Sequence, residues 1–568
     1  MKRYFLGIMS TVTWLIVGCN SSVPVPTPPV NEPPVTELLR DVTRDSGIDF
    51  TYHNGEEANH LAIIESLGGG VALLDYDNDG LLDIFFPGGG YFDRTKVLGH
   101  PGKLYRNLGG MKFQDVSVAT GLAGPLQYSH GAAAFDYDND GWLDLLVTGY
   151  ARLVLLHNEP DGVGGRKFVD VTTKAGLLDT LWSSTAAWGD LDGDGFADLY
   201  ISHYGDWGFE TNHPTDCSYD TKVRDVCQPK RFKALPHTIY RNNRNSTFMD
   251  ITASLNLRKD GKGMGVMMVD LNRDGRPDIY VANDTDPNFL YMNRGKPGEI
   301  VLEEIGMTAG VALDDRGQAN GSMGLAVADF DHTGFPSIVV TNYEKELPAL
   351  YKKITNQDRF QFATSSSQLS AIGASYVSWG VGFLDYNHDG WEDLFIANGH
   401  AIRYPSTKIG REQRPVLVQN NRGKFTPVTG TAGPYFQTRH NARGAAFGDL
   451  DNDGKIDVVV SHVNAPAVVL HNVADTKPNH WLGIELRGKG NRDVVGARVV
   501  LESASGSQTR FISSGASFAS TNDPRCVFGL GLDSEPVAKI TVYWPSGGAE
   551  QAFKNLVPDR YWKLSEGQ

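Results

Sequence analysis

Cysteine is scarce in this chain, with four residues in 568, at positions 19, 217, 227 and 526. That excludes a disulfide-dense scaffold, and no pair has the C-x-x-C spacing of a structural zinc site or of haem attachment. There is no H-E-x-x-H and no G-x-S-x-G, so the sequence carries no catalytic signature. Lysine and arginine, 52 together, are outnumbered by 67 acids, for a net charge of −15. A nucleic-acid-binding protein needs clustered basic residues, which this balance argues against. Beyond the N-terminus no apolar run is long enough to span a membrane as a helix, and the 3.6-residue period of amphipathic helices is missing.

What is abundant is one acidic loop of nine residues, present seven times. Loop 1 is Asp75–Asp83, loop 2 Asp136–Asp144, loop 3 Asp190–Asp198 and loop 4 Asp270–Asp278. Loop 5 is Asp329–Ser337, loop 6 Asp385–Asp393 and loop 7 Asp449–Asp457. Calcium takes six to eight hard oxygen ligands, which acids at positions 1, 3, 5 and 9 and the carbonyl of position 7 can supply around a tight turn. Glycine at position 6 permits the positive φ the turn needs. In loop 1 the set is Asp75, Asp77, Asp79, Leu81 (carbonyl) and Asp83. In loop 2 it is Asp136, Asp138, Asp140, Trp142 and Asp144, and in loop 3 Asp190, Asp192, Asp194, Phe196 and Asp198. Loops 4, 6 and 7 offer Asp270, Asn272, Asp274, Arg276 and Asp278; Asp385, Asn387, Asp389, Trp391 and Asp393; and Asp449, Asp451, Asp453, Lys455 and Asp457. In loop 5 Thr333 and Ser337 replace two acids, leaving Asp329 and Asp331, so a weak or empty site is expected there. A lone D-x-D-x-D-G can be a solvated turn; six near-complete copies in register take chance out of the reading. Each loop closes its own ligand set, so about six calcium ions in a structural role are expected rather than a catalytic metal.

The N-terminus reads as a secretion signal: Lys2 and Arg3, a short apolar stretch, then Leu15-Ile16-Val17-Gly18-Cys19, which resembles a bacterial lipobox. Cleavage after residue 18 and lipidation of Cys19 are expected, with Asn20 favouring the outer membrane of a bacterial envelope. Residues 19–37 are a Pro-rich tether. Cys217 and Cys227, ten apart in a polar insert, suit a disulfide in an oxidising compartment, with metal ligation the less well-spaced alternative. Cys526 is left over as a buried thiol.

Around each loop the same strands recur. A small-residue strand precedes it and an apolar strand follows. A third strand ends in Asn (Lys103–Asn107, Val154–Asn158), and a fourth carries F-x-D-V-T or a relative (Phe113–Ser117, Phe168–Thr172). Four short antiparallel strands per repeat describe a propeller blade. Leu39–Thr43 matches the fourth strand yet precedes loop 1, while no fourth strand follows Val468–Asn472. The chain ends therefore share the last blade, which removes an open edge. The expected fold is all-β: a seven-bladed propeller over 38–476, then a small β-sandwich over 479–568.

With those residues in view, the chain resembles the FG-GAP/VCBS-repeat proteins that carry a C-terminal ASPIC/UnbV domain. The loops and strands above carry the resemblance, together with Gly488–Val499, Ser517–Gly531 and Trp544–Gly548. It implies an extracellular calcium-binding propeller used for adhesion or ligand binding, like the integrin α-subunit head, and no established reaction. The degenerate loop 5 and Cys526 depart from the pattern.

The loops join first strand to second, so the opposite face belongs to the other turns and to the one long insert, Tyr204–Pro236. His130, His203, Asp206, Trp207, Asp284, Trp379, His400, His440 and His462 fall there. Aromatic, amide and acidic groups around a concavity suit a glycan or protein ligand. For any one of them, capping a strand end is the plainer role. The function expected is a lipid-anchored binding or adhesion module. The alternatives are a polysaccharide lyase or hydrolase, or an oxidoreductase, on the same face, and a structural role with the C-terminal domain as docking unit.

Overall fold

The computed structural model describes residues 37–568 except 220, 221, 407, 505 and 538. The expected signal segment, Cys19 and nearly all of the tether lie outside the described residues. Residues 36–568 form one compact unit.

Seven antiparallel sheets, one for each acidic loop, take four strands each from residues 39–472; the fourth gains a fifth strand from Ser514–Gly515, and Gly90–Asp93 pairs with Lys96–Gly99 as a separate hairpin. Their first strands contact one another around a closed cycle, Ala72–Leu74 touching both Ser129–Phe135 and Ala442–Gly448. In every sheet the residue before the loop pairs with its ninth residue: Leu74 with Asp83, Phe135 with Asp144, Ala328 with Ser337, Gly448 with Asp457. The degenerate loop 5 thus keeps the register of the others. Side chains alternate across each strand, so neighbours such as Ile84 and Phe85, or Leu145 and Leu146, enter different apolar clusters on the two sides of one sheet. This explains why the second strands read as continuous apolar runs. The last sheet is completed from the far end of the chain, Leu39–Asp41 pairing with Val468–Asn472.

The C-terminal segment builds two further sheets. His480–Arg487 lies between Cys526–Gly531 and, in parallel, Tyr561–Ser565. Arg498–Ser503 lies between Gly506–Phe511 and Lys539–Tyr543, with Glu550–Phe553 at the edge. They enclose a core that includes Leu482, Val499, Phe528 and Val542. Cys526 is a buried free thiol.

From this domain the segment Ser513–Arg525 runs down the middle of the ring and meets the first strand of all seven sheets. Leu73 N–H donates to the Thr521 carbonyl, and Thr521 Oγ1 donates to the Ala132 carbonyl at 2.9 Å. Trp188 N–H donates to Ser514 Oγ, Gly515 pairs with Met267, and Leu325 N–H donates to the Ser517 carbonyl. Val381 N–H donates to Ser517 Oγ, which donates to the Ala445 carbonyl at 2.6 Å. Inner strand edges need partners for their backbone groups, and this plug supplies them. It also explains the glycines of the first strands: a Cβ on Gly70 would sit 1.9 Å from the Ala519 carbonyl oxygen, and one on Gly131 2.7 Å from it.

Candidate cation loops and the opposite face

Each acidic loop is organised by its own carboxylates. Asp75 accepts N–H groups from Asp79 at 3.0 Å and Gly80 at 2.9 Å, and Asp79 accepts Leu81 N–H. Asp83 opens the second strand and accepts Tyr76 N–H at 3.0 Å and Asn107 N–H at 2.7 Å. The same bonds recur at Asp136, Asp140 and Asp144 and at Asp385, Asp389 and Asp393. Oxygens of Asp75, Asp77 and Asp83 come within 4.8 Å of one another, as do those of Asp136, Asp138 and Asp140. His157 joins Asp138 and Asp144 at the same spacing, and His471 joins Asp451 and Asp457.

Several of these oxygens are buried with nothing to bond. Oδ1 of Asp77, of Asp138 and of Asp451, all at position 3, accepts no hydrogen bond. Burial, aided by the neighbouring carboxylates, pushes Asp83 and Asp385 up to about 8 and Asp136 and Asp449 up to about 7; Asp198, Asp278 and Asp393 rise well above the carboxylate range. Clustered, desolvated, part-orphaned oxygens are the donor set of a hard divalent cation, whose charge would reverse those shifts. The residues of loops 1, 2, 3, 4, 6 and 7 therefore fit calcium. In loop 5 both oxygens of Asp331 are taken, by Thr333 Oγ1 at 2.9 Å and by the Lys352 ammonium. Asp329 Oδ1 and Ser337 Oγ stay without a hydrogen-bond partner there.

Sequence reasoning passed over position 4, which adopts positive φ in every loop (55° at Asn78, 59° at Asn139, 58° at His388). Except at Gly193 of loop 3, its side chain clasps the next loop. Asn78 donates to the Gly141 carbonyl, Asn139 to Gly195 and Asn452 to Gly80, while His332 and His388 reach the carbonyls of Gly390 and Gly454. The third-strand Asn adds a second seam. Asn107 Nδ2 donates to the Leu82 carbonyl of its own loop and the Leu450 carbonyl of loop 7, and Asn158 bridges Leu143 and Tyr76 likewise. The recurring Asn after the third strand was the available signal, since only a group facing two blades is needed in every repeat.

The C-terminal domain is seated on this loop face. Ser546 Oγ donates to Asp190, Tyr561 Oη to Asp449 at 2.7 Å, and Asp493 accepts Asp190 N–H. Asp493 thus makes a docking contact from the turn that follows Gly488, and Asn522 accepts Phe447 N–H in the same way.

The opposite face corrects an expectation. The concavity anticipated there is filled. His130 Nε2 accepts Trp182 Nε1–H at 2.7 Å; His203 is held by Asp179 at 2.9 Å and the Pro236 carbonyl; His400 faces Glu344. Asp284 accepts Tyr204 Oη, Trp379 donates to the Gly399 carbonyl, and Asp206 accepts Lys233 N–H. His440 stacks on His462, which bonds Tyr435 and the Pro466 carbonyl. Burial drives His130 and His462 down to about 3, so both stay neutral. Trp207 and Trp379 belong to one buried apolar cluster with Ile63, Ile64, Tyr128, Phe232 and the plug's Phe518. These residues cap strand ends and pack the mouth of the ring. The insert, with its Cys217–Cys227 disulfide, and residues 54–67 form the cover. Asp225 ties the insert down by accepting Arg403 and Tyr404 N–H groups. A 390 Å³ hollow at the rim of this side is lined by His53, Glu56, Glu57, Arg403, Tyr404, Arg411 and Asn464. Glu56 bridges both arginines there.

Comparison with known proteins agrees with this architecture. Residues 487–568 match the ASPIC and UnbV family, and 75–147, 136–201, 236–281, 270–340 and 406–460 match the FG-GAP-like repeat. Cartilage acidic protein 1 of Xenopus tropicalis is 26% identical over 484 residues, 74% of this chain and 71% of that protein. The Homo sapiens protein is 24% identical over 481 residues, covering 74% and 70%. Among solved structures, an Agrocybe aegerita lectin described for recognition of non-reducing terminal N-acetylglucosamine aligns over 70% of this chain and 87% of its own. Its identity is 15% and its TM-score 0.38, too loose a likeness to carry an argument. The chain belongs to the FG-GAP-repeat proteins that carry an ASPIC and UnbV domain, and it is homologous to cartilage acidic protein 1.

Proposed function

We propose that this protein is a calcium-stiffened binding module of a bacterial envelope, anchored by lipid at Cys19, that engages a glycan or protein ligand. The observation that carries the calcium reading is the buried, unpartnered Oδ1 of Asp77, Asp138 and Asp451 at the same position of three loops. An oxygen of that kind is costly unless a cation meets it. Calcium would tie position 1, 3, 5 and 9 oxygens into one body, and the Asn and position-4 clasps would pass that rigidity from blade to blade. The ligand is assigned to the rim hollow of Arg403, Arg411, Tyr404 and Glu56, because the central mouth is sealed. Two guanidiniums, carboxylates and an aromatic ring suit a polar ligand with many hydroxyl or carboxyl groups.

The test is calcium content and melting temperature of a soluble protein starting after Cys19. About six bound ions and a lower Tm in chelator are expected, since ligands that bind only the folded state raise stability by roughly 2.7 kcal/mol per site at a hundredfold excess over Kd. A folded protein without calcium in millimolar calcium buffer would end the reading. Mass analysis of the native N-terminal peptide tests the anchor: a diacylglyceryl Cys19 supports it, and an unmodified Cys19 overturns it.

A further inference from the structure

Comparison of the seven loops with one another uncovers a rule about charge. The residue just before the third-strand Asn (Lys353 in the fifth repeat) faces its own loop. Where position 3 is Asp, that residue is Arg, Lys or His, a fixed cation in three loops and an imidazole N–H donor in two: Asp77 with Arg106, Asp192 with Arg241 and Asp331 with Lys352; Asp138 with His157 and Asp451 with His471. Where position 3 is Asn, it is neutral: Asn272 with Met292, Asn387 with Gln419. No loop breaks the pattern.

The pairs meet in space. Arg106 approaches Asp77 at 2.6 Å and Asp79 at 2.9 Å. Arg241 pairs with Asp192 and Lys352 with Asp331. His471 bonds Asp457 at 3.0 Å and lies 3.9 Å from Asp451; His157 bonds Asp144 at 2.9 Å beside Asp138. In the neutral loops the position-3 amide itself serves the position-5 acid: Asn272 donates to Asp274 and Asn387 to Asp389, each at 3.0 Å. Asp389 of loop 6 thus takes from asparagine what Asp79 of loop 1 takes from Arg106, while in loop 4 the Arg276 guanidinium pairs with Asp274 as well.

We propose that the third-strand residue facing each loop is a charge-matching residue that sets the loop's cation affinity, offsetting the extra acid wherever position 3 is Asp. Lys352 is the limiting case. Loop 5 has lost two acids but kept its cation, so the ammonium replaces the metal rather than tempering it. This rests on the calcium reading above.

The test is a charge cycle at loop 6, where Trp391 occupies position 7 and provides a local sensitiser for bound terbium. The Trp391→Phe variant identifies the loop 6 component of the emission, and calcium is titrated against it. Gln419 is half-buried, so an arginine fits there without entering the core. Gln419→Arg is expected to weaken calcium displacement at loop 6 by about fivefold, the scale of one partly exposed charge pair acting on a divalent ion. Asn387→Asp is expected to strengthen it by a similar factor. The double variant, which rebuilds the Asp77–Arg106 arrangement, is expected to return to the wild-type value. Gln419→Arg without effect, or a double variant no closer to wild type than either single one, would overturn the charge-matching role while calcium binding stands. Absence of any terbium or calcium binding by folded wild type would instead remove the calcium reading and this inference with it.

Discussion

The two faces of the ring are made from the same seven repeats and reach opposite solutions. On the loop face every turn has one length, one register and one set of backbone bonds, and the side chains that matter point at oxygen atoms. On the other face no two turns are alike, and a non-repeated insert and residues 54–67 fill the middle with aromatic and aliphatic groups. Repetition left the first face carrying buried carboxylate oxygens without a hydrogen-bond partner at Asp77, Asp138 and Asp451. Irregularity filled the middle of the second face with side chains, although buried polar atoms such as His130 Nδ1, Asn283 Oδ1 and Asn398 Oδ1 still lack a hydrogen-bond partner there. A propeller face is thus a poor guide to binding until its inserts are placed.

With calcium in the loops as proposed, the largest way to break the contrast is to chelate it. Hydrogen exchange in chelator is expected to rise first in the seven loops and their clasps, with the insert side changing later; equal loss on both faces would deny that the faces are held by different means. Next is Phe518→Ala. Phe518 is a loop-face-domain residue buried in the opposite-face cluster, edge-on to Trp379 at 4.8 Å. Truncation should cost about 3–5 kcal/mol in denaturant unfolding, with calcium stoichiometry unchanged. Replacing Cys217 and Cys227 by serine should cost about 2–3 kcal/mol and loosen the insert alone, read as exchange confined to residues 204–236. The smallest effect is a slope. Burial pushes Glu65 up to about 7 although Arg403 pairs with it. An acid raised in the folded state contributes fully below its unfolded value near 4.5 and loses that contribution as pH climbs through about 7. Glu65→Gln should therefore flatten the fall in Tm between pH 5 and 7.5, and an unchanged slope would remove Glu65 from the cover's pH response.

The loop face was legible because the repeated D-x-D-x-D-G spacing fixes both residue type and register, so Asp75 to Asp83 marked the turn between first and second strands. Strand order followed from the same markers, and Leu39–Asp41 was readable as a displaced fourth strand. The position-4 clasps were hidden because Asn, His and Arg all serve there, and their shared property is a left-handed backbone plus a donor reaching the next loop. The filled mouth was hidden because His130, Trp207 and Trp379 look alike whether they meet a ligand or each other; burial, which decides it, depends on an insert with no repeat to align. Glu550–Phe553 and Tyr561–Ser565 were missed as short, largely polar edge strands without alternation strong enough to mark them.

The plug also orders events in time. Residues 513–525 emerge after every blade has been made, so the seven inner strands must wait beside an open shaft until almost the whole chain is available. A nascent or truncated chain ending before residue 513 would present unsatisfied strand edges from all seven sheets at once, the kind of surface on which chains aggregate and chaperones act. The terminal domain thus makes completeness of the polypeptide a condition of its solubility.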